Sequence, residues 1–175
     1  MPLSSEVNGP LGETSWLAQL CMQAYDGEPG SDDGWHGPSL RKILSDVSWE
    51  EASRRLTPEG HNIWELVLHI AVWDEICVQR LFGAEIPMTT GSAGDWPELP
   101  AATPAAWAAT KQRLTDAQAA FTTRVAALRS EDLDKTVVGW PWSYRLMIHG
   151  TLHHDLYHGG QIALLKRALR NTKRI

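Results

Sequence analysis

The sequence has little cysteine, no long apolar run and no excess of basic residues. Its two cysteines, Cys21 and Cys77, lie far apart among 175 residues, so they do not form the closely spaced pair of a redox or zinc motif. No stretch approaches the roughly 18 uninterrupted apolar residues that a membrane span needs. The first thirteen residues also lack the basic and then apolar pattern of a signal peptide. We therefore expect a cytoplasmic protein with buried thiols and no membrane partner.

The charge balance argues against a nucleic-acid partner. The formal net charge is −5 and the pI is near 5.8, which leaves no general excess of Lys and Arg to cover phosphates. One basic cluster, from Lys166 to Arg174, lies at the end of a predicted helix, where cations complement the helix dipole and end in solvent. The length is about that of one domain, which we expect to span residues 1–175.

Four long stretches carry apolar residues at three- and four-residue spacing, the period of an amphipathic helix. They run from about Trp16 to Asp26, from His61 to Phe82, from Pro104 (capped by Thr103) to about Leu128, and from Ser143 to about Arg170. A Gly-, Pro- and Asp-rich loop over residues 26–38 precedes two short predicted helices, Ser39–Leu44 and Trp49–Leu56, the second capped by Ser48. No alternating strand pattern is longer than a few residues. The sequence predicts an all-α protein, a four-helix bundle with two long connections.

Four of the seven histidines fall within ten residues of the last predicted helix. They form two interleaved pairs at the i, i+4 spacing, His149 with His153 and His154 with His158. At about 100° per residue, the second pair shares an arc with apolar residues, whereas the first lies well over 100° away from His158. The inner arc consists of Met147, Thr151, His154, His158, Ile162, Leu165 and Leu169. We therefore predict that His154 and His158 face the core.

A third histidine, His69, lies at the edge of the apolar face of the second long helix. A single inward histidine is more often a hydrogen-bonded core residue than a ligand. However, two histidines one turn apart converge on one ion, and a third from a facing helix completes a three-nitrogen site with open positions. Buried imidazoles also need partners, and a shared metal supplies them. We predict a divalent metal site on His69, His154 and His158.

Several other residues have two readings from sequence. Gln161, Asp155 and Glu65 are candidates to hold the histidine rings, or are solvated polar residues. Trp35, His36 and Trp96 either line the mouth of a pocket or anchor loops. Tyr157 and Trp73 are expected to serve packing. A second apolar surface of the last helix is interpreted as a dimer contact; it contains Leu146, Leu152, Leu156 and Leu164.

Two strings resemble a known family. The string HDLYHGGQI from His154 to Ile162 and the string IWELVLHIAVW from Ile63 to Trp73 resemble the DinB-like, or YfiT-like, metalloenzyme superfamily. The stretch WHGPSL from Trp35 to Leu40, with the short helices that follow it, is similar to one subgroup. The resemblance therefore covers most of the chain.

The resemblance implies a four-helix bundle with up-down-down-up connectivity and frequent homodimers. It also implies that His69, His154 and His158 bind one divalent ion such as nickel, zinc or iron. Related members transfer low-molecular-weight thiols such as bacillithiol or mycothiol to electrophiles, or isomerise a substrate with a thiol cofactor.

Three functions are consistent with these residues. The first is metal-dependent transfer of a low-molecular-weight thiol to an electrophilic small molecule, because a bound ion lowers the pKa of a thiol or water. The second is metal-dependent hydrolysis, which normally needs a nearby carboxylate as general base. The third is a dimer that binds a metal or ligand without turnover.

Overall fold

Helices make up most of the chain in the computed structural model, which describes residues 12–171. The six α-helices are α1 (Glu13–Asp26), α2 (Leu40–Leu44), α3 (Trp49–Ser53), α4 (Ile63–Leu81), α5 (Pro104–Ala126) and α6 (Tyr144–Asn171). A 3-10 helix over Ser130–Asp134 lies between α5 and α6. The expected all-α class is confirmed. The ends of the chain, including Lys173 and Arg174 of the basic cluster, lie outside the described residues.

The predicted caps at the starts of the helices are present. Thr103 accepts a hydrogen bond from the backbone N–H of Ala106 before Pro104 opens α5, and Ser48 caps α3 through the N–H of Glu51. The prediction of a helix as far as Leu56 is wrong, because Arg54 adopts an extended conformation and α3 ends at Ser53. The amide of Asn62 then donates to the carbonyl of Ser53 and satisfies part of the helix end.

A capping box begins α4. The Asn62 side chain accepts from the N–H of Glu65, and the Glu65 carboxylate accepts from the N–H of Asn62. The other carboxylate oxygen of Glu65 pairs with Arg55. Glu65 is therefore a capping residue, and its interpretation as a partner of the histidine rings is wrong.

A small hairpin interrupts the loop predicted before α2. Its strands, β1 (Asp33–Gly34) and β2 (Gly37–Pro38), are antiparallel and only two residues long. Trp35 and His36 form the turn, and Trp35 is 94% exposed. Neither residue lines the cavity that the histidines share, so of the two alternatives for Trp35 and His36 the pocket mouth is excluded.

The four long helices pack against one another around a shared interior. Helix α1 contacts α5 and α6, and α4 contacts the same two helices. The short helices cover this arrangement, because α2 packs on α1 and α6, and α3 packs on α4. The basic end of α6 also takes part: Lys166 and Arg170 form ion pairs with Asp46, and Arg170 also pairs with Glu51. The sequence predicted that these cations end in solvent, and for Lys166 and Arg170 that prediction is wrong.

The apolar interior is divided into two clusters along the long helices. On α4, one cluster ends at Ala71 and the other begins at Cys77. On α6, the last buried residue of one cluster is Ile148, and the first buried residue of the other is Ile162. Several buried polar residues lie between them, and His69 lies at the edge of the first cluster; those between are Asp74, Gln118, Thr151, Asp155 and His158. The fold therefore places a polar layer between two apolar ones, and this layer contains the predicted site.

Candidate metal centre

The three predicted histidines meet in the polar layer. His69 comes from α4, while His154 and His158 lie one turn apart on α6. One ring nitrogen from each lies within 4.8 Å of the others, and the Nε2 atoms of His69 and His154 are 3.0 Å apart. His158 is buried and His154 is half-buried, whereas His153 on the same helix is exposed. The helix phase read from the sequence is therefore correct.

Two of the rings are held by hydrogen bonds on the nitrogen that faces away from the group. The Nδ1 atom of His69 lies 2.6 Å from the backbone carbonyl of Asp95, and the Nδ1 atom of His158 lies 2.7 Å from Oε1 of Gln161. Because these oxygens only accept, both Nδ1 atoms carry the proton. Each ring therefore keeps its lone pair on Nε2, the tautomer that suits a metal ligand.

His154 is held differently. Its Nδ1 atom is buried without a hydrogen-bond partner within residues 12–171, and the nearest carboxylate oxygen, Oδ1 of Asp155, is 3.5 Å away. Asp155 itself is buried. Of the three candidate ring partners, Gln161 contacts a ring directly and Asp155 lies beside one, so neither is a simple solvated residue.

Burial keeps two of the histidines neutral. Desolvation lowers the pKa of His69, and it lowers the pKa of His158 to about 4, with a smaller contribution from the neighbouring histidines. At neutral pH these two rings are therefore uncharged, the state in which imidazole binds metals.

The donor set fits a divalent ion. Two nitrogens bound to one ion at the usual 2.0–2.1 Å in a tetrahedral site lie about 3.4 Å apart. In this site, the Nε2 atoms of His69 and His154 are 3.0 Å apart, slightly less than that distance. No two of the three ring nitrogens are more than 4.8 Å apart, so small shifts of the side chains would reach the metal-bound geometry. Three neutral imidazoles suit zinc, nickel, copper or iron better than calcium or magnesium.

The three histidines line a cavity of about 530 Å³. Trp96 stacks on His69 with ring centroids 4.0 Å apart, and its ring also stacks on His61 at 3.5 Å. Of the two alternatives for Trp96, the structure supports the pocket, because Trp96 lines it together with Trp73 and Tyr157. Further wall residues are Trp142, Leu146, Met147 and Thr151.

Asp95, which the sequence analysis missed, fixes the loop between α4 and α5 against the site. Its carbonyl accepts from His69, its Oδ1 accepts from Nε1 of Trp73 at 2.8 Å, and its Oδ2 accepts from the N–H of Gly91 at 2.7 Å. Asp95 is buried. Its position next to Trp96 in the Gly- and Pro-rich connection was the only signal available from sequence.

A second missed feature lies behind His154, where two carboxyl groups share one amide. The Nε2 atom of Gln118 donates to Asp74 at 2.6 Å and to Asp155 at 2.7 Å. The remaining carboxyl oxygens, Oδ1 of each aspartate, have no hydrogen-bond partner within residues 12–171. Burial raises the pKa of both groups, and for Asp74 the charge of Asp155 raises the pKa further.

Neither cysteine is activated. Cys77 lines the cavity and accepts a hydrogen bond from Thr151 at 3.2 Å, and burial raises the pKa of both Cys77 and Cys21 to about 12. Both are free, buried thiols, as predicted. They are therefore protonated at neutral pH and are poor nucleophiles.

Comparison with known proteins identifies the family. Residues 35–162 match the family model described as the DinB superfamily. The chain belongs to the DinB superfamily. The match includes α4 and the HDLYHGGQI string of α6, so all three histidines of this DinB protein lie within it. Searches of curated proteins and of solved structures each gave no significant match.

None of the helices in residues 12–171 is both long enough and apolar enough to span a membrane.

Proposed function

We propose that His69, His154 and His158 bind one divalent metal ion, and that this DinB protein is a metal-dependent enzyme. In the reaction we favour, a low-molecular-weight thiol is transferred to an electrophilic small molecule. The observation that carries this proposal is the convergence of three ring nitrogens in the wall of a cavity. Three protein ligands leave positions for a thiol or substrate, as in catalytic rather than structural sites.

The residues around the site have distinct tasks in this proposal. Asp95 and Gln161 hold the rings of His69 and His158 so that their Nε2 atoms face the ion. Trp96 and Trp73 cover the site and limit the access of water. The ion would lower the pKa of a bound thiol, so that a thiolate is available near neutral pH.

The arrangement of carboxylates favours thiol transfer over hydrolysis. Both carboxylate oxygens of Asp95 accept hydrogen bonds from Trp73 and Gly91. Asp155 lies beside the outer nitrogen of His154 and is bonded to Gln118. A hydrolase needs a carboxylate that is free to take a proton from a bound water, and neither group is placed for that role.

A direct assay tests the proposed reaction. Metal-loaded protein is incubated with bacillithiol or mycothiol and a chloro-aromatic electrophile, and in parallel with panels of esters and amides. Thioether formation that requires the metal would support the proposal. Turnover only of esters or amides would identify a hydrolase. Tight metal binding without turnover would identify a metal- or ligand-binding protein.

We also propose two features of the whole molecule. The contacts of α1 and α4 with α5 and α6 support one four-helix bundle with up-down-down-up connectivity as a single domain. The outer face of α6, where Leu164 is exposed beside Leu146 and Tyr157, two exposed residues that also line the cavity, supports a homodimer. Leu152 is not part of this surface, because it packs against the interior.

A further inference from the structure

A buried arginine lines the cavity together with the histidines. Arg80, near the end of α4, is only 2% exposed, yet it is among the residues that form the cavity wall. Arginine is almost never buried without a charged partner. Arg80 therefore needs a physical explanation.

The hydrogen bonds within the protein use only part of its guanidinium group. The Nη2 atom donates to the carbonyls of Ile86 and Met88, each at 2.7 Å. The Nε atom is buried and has no acceptor within residues 12–171. The guanidinium also lies near the rings of Trp73, at 5.8 Å, and Trp140, at 4.9 Å. The two bonds from Nη2 hold the loop after α4 in place, but they leave Nε without a partner within residues 12–171.

No carboxylate neutralises Arg80 in the described part of the chain. Arg113 and Arg170 pair with glutamates, whereas Arg80 forms none of the ion pairs found within residues 12–171. The acid that lines the same cavity, Asp95, is already bonded to Trp73 and Gly91. Burying an unpaired charge costs free energy, and an anion that enters the cavity would recover part of that cost.

The cavity that Arg80 and the histidines both line is mainly apolar. Arg80 follows His69 by eleven residues, which corresponds to about 16 Å along the axis of α4. Aromatic and apolar side chains line the cavity, among them Trp73, Trp142, Met147 and Tyr157. A single cation among such walls suits a monoanion with an apolar body better than a strongly hydrated dianion.

We propose that this cavity binds a small molecule with an aromatic or aliphatic body and one carboxylate, which pairs with Arg80 while the other end points toward the three histidines. The substrate class of the proposed enzyme is thus an apolar monocarboxylate. This inference rests on the proposed function only for the reaction at the histidine end. Binding of the carboxylate depends on Arg80 alone.

The first test compares two probes of nearly the same shape, biphenyl-4-carboxylate and biphenyl-4-carboxamide. Titration calorimetry measures both against the full-length protein as purified and after removal of metal by a chelator, with circular dichroism to verify folding. A charge-assisted pair with arginine is about twice as strong as a neutral one, so we expect the carboxylate to bind at least about tenfold more tightly in both forms. Equal binding of the two probes, or no binding of either, would overturn the inference without any variant.

A variant with a matched control locates the effect. In Arg80→Gln the preference for the carboxylate should fall to near onefold, and Arg80→Lys should retain part of it. Arg124→Gln is the control, because Arg124 also donates to a backbone carbonyl, that of Leu81, and lies over an aromatic ring, that of Phe82, but does not line the cavity. A folded Arg80→Gln protein that keeps the full preference would contradict the assignment.

The two proposals fail separately. Loss of metal binding with an intact carboxylate preference in the metal-free protein would remove the proposed enzyme but keep the Arg80 site. Normal metal binding with no preference between the probes would do the reverse.

Discussion

Single-residue variants test the proposed metal ligands, and the neighbouring histidines of α6 provide matched controls. If the three ring nitrogens hold an ion, replacing His69, His154 or His158 by Ala should reduce the metal content of reloaded protein from about one ion per chain to near zero. His149→Ala and His153→Ala should leave it unchanged, because both lie on the other side of α6, where their rings contact each other and, within residues 12–171, no other ring. Elemental analysis with protein quantification measures the ratio. A metal-free wild type after reloading would refute the site, and loss of metal only in the controls would refute the choice of helix face.

Gln161 is expected to affect the metal without touching it. Its Oε1 accepts from Nδ1 of His158, which fixes the tautomer and the ring orientation. Losing such a partner typically weakens metal affinity by about 10- to 100-fold, so Gln161→Leu should raise the metal dissociation constant by that factor. Competition with a chromogenic chelator gives this constant.

Gln112→Leu is the control for this experiment. Gln112 is exposed on α5 and bonds Asp116 on its own helix, so its loss should not change the affinity. An affinity of Gln161→Leu equal to that of the wild type would show that His158 is oriented by packing alone.

At the scale of helices, one amide joins three elements through their buried polar groups. Gln118 of α5 bonds Asp74 of α4 and Asp155 of α6. Because burial raises the pKa of Asp74 above its usual 3.8, the unfolded chain loses this proton at a lower pH than the folded protein does. The folded state therefore binds more protons above pH 3.8, and its stability falls as the pH rises toward the folded pKa.

Replacing Asp74 by Asn removes this penalty, because the amide oxygen still accepts from Gln118 and carries no charge. We expect Asp74→Asn to raise the free energy of unfolding of the metal-free protein at pH 7 by about 1–3 kcal/mol, because each unit by which burial raises a carboxyl pKa costs about 1.4 kcal/mol at a pH above both values. The gain should shrink toward zero near pH 3, below the usual pKa of 3.8, where the wild-type carboxyl group is mostly protonated in both states. Urea unfolding at both pH values measures the difference.

The exposed Asp116 of α5 is the control, and Asp116→Asn should give no comparable gain at pH 7. A destabilised Asp74→Asn protein at pH 7 would mean that the charged carboxylate is needed in the fold.

At the same scale, the sequence predicted the helices and the faces that meet, but not the loops. The period of Met147, Thr151, His158 and Ile162 determines the inner face of α6, and a period is a local property. The contact of Asp95 with His69 joins residues 26 positions apart through an irregular connection, and no local pattern encodes it. Asp155 looked polar and solvated because its partner, Gln118, lies on another helix.

Arg80 was missed for a related reason. It lies on the same side of α4 as His69 and Trp73, seven residues after Trp73 and three residues after Cys77. The position was readable from the helix wheel. Its burial was not, because the carbonyls of Ile86 and Met88 and the ring of Trp140 come from connections between helices.

At the scale of the whole molecule, the exposed face of α6 predicts a homodimer. Leu164 is 66% exposed on α6 and Tyr157, seven residues before it, is 64% exposed. Seven residues are two helical turns, so the two share one face. If this face forms a homodimer, sedimentation velocity should give the mass of two chains for the wild type and of one chain for Leu164→Glu.

Leu56→Glu is the control for the dimer, because Leu56 is also exposed but follows α3. This variant should remain dimeric. A wild type that sediments as a single chain at all concentrations would refute the dimer, and dissociation by both variants would show that it does not use the outer face of α6.

The double attachment of Asp95 has a consequence for the divergence of related sequences. Its backbone carbonyl holds a proposed ligand, His69, while its carboxylate holds a wall residue, Trp73, and the turn at Gly91. A neighbour such as Thr90 lines the cavity without such ties. Among descendants of a common ancestor, selection is therefore expected to retain the aspartate while position 90 varies with the molecule each descendant accepts. The loop between α4 and α5 would then keep the metal site through Asp95 while changes at position 90 alter which molecule the cavity accepts.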